Sequence, residues 1–160
     1  MLLTKDIEKL VVHIDIKGIS VDSENHNDIY LTVNAGENWH KFVLWCVSNN
    51  YGGIENLSLI PGSVGTCPIQ NIGAYGVEVK DTITKVEAVE IKTGKLVSFS
   101  LEECQFGYRN SIFKNEVKGK YVLTSVGFKL TKKEHNLNTS YGAIETELAS
   151  KEVIKPSLKD

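Results

Sequence analysis

The dominant pattern of apolar and polar residues along this chain has a period of two, which is typical of β-strands with one buried face. The alternation occurs over residues 11–16 and again over 29–33, with a polar turn between them. We therefore predict a β-hairpin in this part of the chain. Residues 83–90 and 96–99 alternate in the same way on either side of a Lys-Thr-Gly-Lys turn, which predicts a second hairpin.

A longer alternating run over residues 121–130 predicts one further strand. The apolar residues that we expect on its buried face are Val122, Val126, Phe128 and Leu130. Three predicted strand regions and few helical segments indicate an α+β fold with a mainly antiparallel sheet and flanking helices.

One segment has helical periodicity instead. Residues 36–49 place apolar side chains three and four positions apart, namely Trp39, Phe42, Val43, Cys46 and Val47. Asn34 is a candidate for the capping residue near the start of this helix. We expect Trp39 and Cys46 to belong to the core, and we predict shorter helices at 101–104 and 142–149.

Composition and charge exclude several classes of protein. The chain has 160 residues, of which 41% are hydrophobic, and a formal net charge of -2, so it provides no basic surface for nucleic acid or an anionic membrane. It contains neither an apolar run of about 18 residues nor a signal peptide. Its three cysteines and four histidines lack metal-ligand spacing. We therefore expect a one-domain cytoplasmic protein without a metal.

Residues 60–76, IPGSVGTCPIQNIGAYG, combine glycines and prolines with a complete absence of charged side chains. Glycines allow a ligand to approach the backbone closely, and exposed peptide N–H groups bind phosphate oxygens without a cation. Ser63, Thr66, Gln70 and Asn71 add polar groups that suit a heterocycle. The composition leaves two interpretations open, a cofactor-binding loop and an irregular connection, and it matches neither GxGxxG nor the Walker pattern.

The order of residues is more specific than their composition. The informative strings are NAGENW at 34–39, ENL at 55–57, IPGSVGTCPIQNIGAYGVE at 60–78, CQFGYRNSIFK at 104–114 and NTSYGAIETEL at 138–148. Together they closely resemble the UDP-N-acetylenolpyruvoylglucosamine reductases of the type that carries a tyrosine loop. This resemblance implies the second subdomain of a vanillyl-alcohol-oxidase/PCMH-type FAD-binding fold.

The resemblance also implies a set of residues that line FAD. These are Ile60, Pro61, Gly62, Val64, Gly65, Thr66, Cys67, Pro68, Ile69, Asn71, Gly73, Tyr75 and Gly76. The family usually has a small hydroxyl residue or alanine at the position of Cys67, so we expect the backbone there to make the flavin contact.

Arg109 is the only arginine in a chain with seventeen lysines. A guanidinium offers a planar, permanently charged fork that matches a carboxylate, although the residues alone allow an ordinary surface arginine equally well. The resemblance implies that Arg109 is catalytic, holding the enolpyruvyl carboxylate and stabilising the enolate. It also implies that Tyr141 contacts the diphosphate of the substrate, UDP-N-acetylglucosamine enolpyruvate, and that NADPH donates the hydride that yields UDP-N-acetylmuramate for peptidoglycan synthesis.

The same resemblance implies that residues 1–160 are the central part of an FAD-binding domain. An amino-terminal FAD subdomain and a carboxy-terminal substrate domain with the proton-donating serine are then missing, and we expect the chain by itself to be inactive. Two alternatives remain: a non-catalytic folded fragment with weak or no flavin binding, and another flavin oxidoreductase of the same superfamily.

Overall fold

The computed structural model describes Glu8 and residues 10–160. In this part of the chain the elements are β1 Ile19–Glu24, β2 Asp28–Asn34, α1 Trp39–Ser48, β3 Gly73–Ala74, β4 Val77–Glu78, β5 Ile83–Glu90, β6 Leu96–Ser100, β7 Tyr121–Thr131 and α2 Ile144–Ser150. A five-stranded sheet has the order β1-β2-β7-β5-β6, and every neighbouring pair is antiparallel. The predicted α+β class with a mainly antiparallel sheet is confirmed.

The hairpin of β5 and β6 lies where it was predicted, but the first hairpin does not. Its first strand is Ile19–Glu24, and residues 11–16 form no strand. The prediction was wrong because β1 is an edge strand with five of its six residues exposed, so its sequence shows little alternation of burial. The alternating residues 11–16 instead leave Val11, Val12 and Ile16 exposed.

The strand predicted at residues 121–130 is confirmed as β7, with one change of face. Glu87 of β5 pairs with Ser125, and the next residue, Ala88, pairs with Leu123, so Thr124 is the extra residue of a β-bulge. Beyond a bulge the two faces of a strand exchange. Leu123 is therefore buried, and Val122, which we predicted on the buried face, is only half-buried.

The predicted helix is confirmed as α1, with a different cap. Asn38 is the capping residue, and its side chain accepts a hydrogen bond of 3.0 Å from Lys41 N. Asn34 ends β2, and its amide donates to Lys17 O at 2.7 Å. The helix buries Trp39, Phe42, Val43 and Cys46. The ring of Phe42 lies 5.1 Å from that of Phe128 on β7, which places the core between α1 and the sheet.

The two shorter predicted helices have different outcomes. The helix predicted at 142–149 is confirmed as α2, which spans Ile144–Ser150. Residues 101–104 form turns, which are closed by bonds from Cys104 N to Ser100 O and from Gln105 N to Glu102 O. Gln105 has a φ of 46°, which does not continue a right-handed helix. In the described part of the chain, neither helix has the length and apolar character needed to cross a membrane.

Candidate functional site

The first half of the glycine–proline loop, residues 60–68, is built into the fold. Its backbone N–H groups at Val64 and Gly65 donate to Glu37 O at 2.8 Å and Ala35 O at 2.9 Å. The side chains of Val64 and Cys67 lie in the hydrophobic core. A Cβ atom added to Gly65 would lie 2.5 Å from the Cβ of Ala35, so only glycine fits at this position.

Peptide groups at the turn of this first half remain available to a ligand. Trp39 N of α1 donates to Gly62 O at 3.1 Å, which holds the loop against the start of the helix. The N–H groups of Gly62 and Ser63 have no acceptor among the described residues. Gly62 is exposed and has a φ of 129°, a conformation that favours glycine. These N–H groups are donors of the kind that bind anionic oxygens.

The second half of the loop, residues 69–76, contacts the segment that carries Arg109. The buried amide of Asn71 donates to Gly107 O at 2.9 Å and accepts from Lys80 N at 3.1 Å. Ser111 Oγ donates to Ile69 O at 2.6 Å. The structure thus brings together two motifs that are separated by 36 residues or more along the chain.

Arg109 is held at this junction by neutral groups. Its Nη2 donates to Gly73 O, and its Cζ lies 5.2 Å from the centre of the Tyr108 ring. No described carboxylate forms an ion pair with it. Gly73 leaves the space that the side chain needs, because a Cβ there would lie 2.7 Å from Nη1 of Arg109. The guanidinium is half-buried and retains a charge that suits an anionic ligand.

The segment around Tyr141 contacts the end of the second half of the loop, at Tyr75 and Gly76. The rings of Tyr75 and Tyr141 lie 6.1 Å apart in an edge-to-face arrangement, and both are more than half exposed. Asn56 Nδ2 donates to Tyr75 O at 3.2 Å and to Asn138 O at 2.8 Å. Asn138 Nδ2 donates in turn to Gly76 O at 3.3 Å. Two asparagines therefore fix Tyr141 beside the loop.

Glu78 lies next to this junction. One of its carboxylate oxygens, Oε2, pairs with Lys80 Nζ at 2.7 Å. The other oxygen, Oε1, is buried and has no hydrogen-bond partner in the described structure. A Cβ added to Gly73 would lie 3.2 Å from Glu78 Cγ and 2.7 Å from Arg109 Nη1, so both side chains approach the backbone of Gly73. A buried, unpartnered carboxylate oxygen is costly unless a donor reaches it, so this oxygen is a candidate ligand contact.

A cavity of about 640 Å³ borders Tyr75. Its lining includes Asn56, Tyr75 and Asn138, together with residues of α1, α2 and 156–160. Leu44 and Leu59 make parts of this lining apolar.

The three cysteines of the chain are free, and all three are buried. Burial raises the pKa of Cys67 well above its ordinary value, and burial likewise raises the pKa of Cys104 to about 12 and the pKa of Cys46. Buried protonated thiols are poor nucleophiles. The expectation that Trp39 and Cys46 belong to the core is confirmed by their burial, and Cys104 is also completely buried.

The thirteen residues expected to line FAD differ widely in accessibility. The exposed ones are Pro61, Gly62, Thr66, Tyr75 and Gly76; the half-buried ones are Ile60, Ile69 and Gly73; the buried ones are Val64, Gly65, Cys67, Pro68 and Asn71. The side chain of Asn71 is buried, and its amide bonds to Gly107 O and Lys80 N within the protein. The hydroxyl of Thr66 donates to Ser63 O at 2.7 Å.

Sequence reasoning missed the roles of Asn56, Asn138 and Glu78. Asn56 and Asn138 stand in the quoted strings, but nothing in their spacing shows that their side chains meet the same loop. Glu78 follows the glycine–proline loop directly, and only its burial distinguishes it from an ordinary surface carboxylate.

Comparisons with known proteins give one consistent result. Residues 2–100 match the family described as "FAD binding domain". The chain is 56% identical over its 160 residues to the UDP-N-acetylenolpyruvoylglucosamine reductase of Flavobacterium johnsoniae, and 51% identical over 150 residues to that of Amoebophilus asiaticus. These alignments cover 100% and 94% of this chain but only 48% and 44% of the relatives, so the chain spans about half the length of the curated relatives it matches.

A solved structure agrees with these relatives. The crystal structure of UDP-N-acetylenolpyruvylglucosamine reductase from Thermus caldophilus matches with a TM-score of 0.56 and 26% identity. The match covers 79% of this chain and 44% of that one. The resemblance inferred from the quoted strings is therefore confirmed.

Proposed function

Because the chain belongs to the FAD binding domain family, whose cofactor is FAD, we propose that residues 60–76 form part of an FAD site in a UDP-N-acetylenolpyruvoylglucosamine reductase. One observation carries this proposal. The segments of Arg109 and Tyr141 both contact the second half of the uncharged loop, through Gly73 in one case and Tyr75 in the other. An anion-binding group and a polar aromatic side chain are thereby placed beside a backbone that suits a large anionic cofactor.

The described residues fit the groups that FAD carries. The N–H groups of Gly62 and Ser63 suit the diphosphate oxygens. The unpartnered oxygen of Glu78 suits a ligand hydroxyl or ring N–H. Residues 60–76 contain no carboxylate that would repel the diphosphate.

When bound, FAD supplies the transfer of a hydride from NADPH to the enolpyruvyl double bond. Arg109 of this chain binds the carboxylate of that group and stabilises the negative charge that develops beside it, which lowers the barrier more than it tightens substrate binding. Gly73 O and the Tyr108 ring hold the guanidinium in place for this task. Tyr141 contributes an exposed phenol that donates to the substrate diphosphate.

The substrate of the proposed reaction is UDP-N-acetylglucosamine enolpyruvate, and its product, UDP-N-acetylmuramate, serves peptidoglycan synthesis in the cytoplasm. We further propose that this chain corresponds to the central part of an FAD-binding domain and that turnover requires the half of the relatives that it does not match. The coverage of 48% and 44% of those relatives supports this assignment.

Titration of the chain with FAD tests the cofactor site. We expect a saturable change in flavin fluorescence, because the loop and its free N–H donors are already formed in the described structure. Absence of any saturable change would favour the alternative of a folded module without flavin binding. Binding of FAD without turnover of the enolpyruvyl sugar in the complete protein would favour another flavin oxidoreductase.

The substitution Arg109→Lys tests the catalytic role in the complete protein. Lysine keeps the charge but loses the planar fork, and we expect kcat to fall about a hundredfold while FAD content changes by less than about twofold. Lys118→Arg is the matched control, because it exchanges the same two cationic groups at an exposed position on the same segment. An equal loss of FAD and turnover in Arg109→Lys would contradict the role.

A further inference from the structure

The first turn of α1 holds the residues that precede the glycine–proline loop. Trp39 Nε1 donates to Leu57 O at 2.8 Å, and the neighbouring residue, His40, contacts the next two positions. Nδ1 of His40 accepts the N–H of Leu59 at 3.2 Å and lies 3.1 Å from Oγ of Ser58. These contacts join the helix to the chain just before residue 60.

The backbone of Leu59 has a conformation that leucine seldom adopts. Its φ is 62°, in the left-handed region, and its side chain is 77% exposed, so apolar packing does not hold it there. Such a conformation costs about 1–2 kcal/mol for a residue with a Cβ atom. The Leu59 N–H donates a hydrogen bond to Nδ1 of His40, and this bond offsets the cost of the conformation.

We propose that His40 is a positioning residue for the FAD site, which acts through a neutral imidazole whose Nδ1 accepts the Leu59 N–H. A backbone N–H is only a donor, so Nδ1 carries no proton in this arrangement and the ring proton lies on Nε2. The bond fixes the direction in which Leu59 leads into Ile60 and Pro61. It thereby sets the N–H groups of Gly62 and Ser63, and in this respect the inference rests on the proposed function.

Three substitutions distinguish this role from a general effect on the helix. Asparagine places its Oδ1 near the position of Nδ1 and keeps an acceptor for Leu59, glutamine extends its acceptor toward the position of Nε2, and alanine removes the acceptor. Glutamine is the better helix former of the two amides. Positioning by Nδ1 therefore predicts that His40→Asn retains function better than His40→Gln, whereas helix stability predicts the opposite order.

The first measurement needs no cofactor. In the ¹⁵N spectrum of the histidine side chains near neutral pH, we expect Nδ1 of His40 to be unprotonated and Nε2 to carry the proton. We expect hydrogen exchange of the Leu59 amide to be about tenfold faster in His40→Ala and His40→Gln than in the wild type and His40→Asn, as the loss of one hydrogen bond predicts. Protonated Nδ1, or equal exchange in all four proteins, would overturn the proposal.

The second measurement is the affinity for FAD. We expect the dissociation constant to rise about tenfold in His40→Ala and His40→Gln and to change by less than about threefold in His40→Asn. Binding by His40→Gln that equals or exceeds that of His40→Asn would overturn the role in the FAD site. If the wild type itself bound no FAD, the proposed function would fail, and the tautomer and the Leu59 exchange would still decide whether His40 positions the loop.

Discussion

The two halves of the glycine–proline loop each contain two glycines, but both prolines lie in the first half, and the two halves have different surroundings. Residues 60–68 bond through their backbone to Ala35 and Glu37, close to the helix and sheet that form the core. Residues 69–76 bond mainly to side chains from distant segments, including Asn56, Arg109 and Asn138. The first half is therefore part of the scaffold, and the second half is the place where the candidate functional groups meet.

This difference shows that glycine has two separate uses within one loop. At Gly65 the missing side chain allows the backbone to pack against Ala35. At Gly73 it leaves room for the guanidinium of Arg109. A substitution in the first half should therefore reduce stability, and a substitution in the second half should also disturb the site.

Gly65→Val is expected to have the largest effect on stability. Even the Cβ of the new side chain would lie 2.5 Å from the Cβ of Ala35, and such overpacking lowers the free energy of unfolding by about 3 kcal/mol. Urea denaturation measures the change. Gly107→Ala is the control, because its Cβ would lie 3.6 Å from the nearest atom, the Cβ of Asn110, and its effect should stay below about 1 kcal/mol. Wild-type stability of Gly65→Val would show that the first half is not packed as described.

Asn71→Ala is expected to have an intermediate effect. It leaves Gly107 O and Lys80 N without their partner, and two lost hydrogen bonds at a buried position cost about 2 kcal/mol. The control is Asn115→Ala, which also removes an amide with two hydrogen bonds but at an exposed position. Equal losses of stability in the two variants would contradict a special role for the junction between Asn71 and the Arg109 segment.

The buried thiol of Cys67 predicts a smaller, pH-dependent effect. Its folded pKa is raised well above 9.0, its ordinary value, because burial disfavours the thiolate. As the pH rises, this thiol therefore loses its proton in the unfolded chain before it does so in the folded chain. The free energy of unfolding is unaffected by this thiol below the unfolded pKa, and it falls as the pH rises above that value. Between about pH 7 and about pH 10 the loss is about 1.4 kcal/mol for this thiol.

Comparison with Cys67→Ala isolates that contribution, since the variant lacks the thiol and retains the other titrating groups. The free energy of unfolding of the wild type should fall more steeply between the two pH values than that of Cys67→Ala. Parallel pH profiles would mean that the thiolate of Cys67 is not excluded from the folded state, and hence that the first half opens to solvent.

The sequence predicted those elements whose burial alternates regularly. Strand β2 and the β5–β6 hairpin could be located because buried residues alternate there with less buried ones. Ile29 in β2 and Val86 in β5 are buried, and the residues next to each of them are not. Strand β1 could not be located, because five of its six residues are exposed and none is buried, whereas the other edge strand, β6, buries Phe99. The change of face in β7 was equally hidden, since the bulge at Thr124 depends on its pairing with β5 and leaves no local pattern.

The candidate site was predictable in its parts but not in its assembly. The quoted strings identify the glycine–proline loop, Arg109 and Tyr141 as distinct features of the sequence. Their mutual contacts depend on how the sheet returns the chain to the same place, which no local spacing encodes. The same reason explains why His40 resembled an ordinary helix residue: its partner, Leu59, lies nineteen positions away.

The bonds that assemble the second half of the loop also have a consequence for the time course of folding. They join residues that are 36 positions apart at Asn71, 62 at Asn138 and 82 at Asn56. Contacts over such distances require the closure of large chain segments and are entropically expensive to make early. The nucleus of folding should therefore be the hairpins and α1, and competence to bind a cofactor should arise only after the last strand has docked.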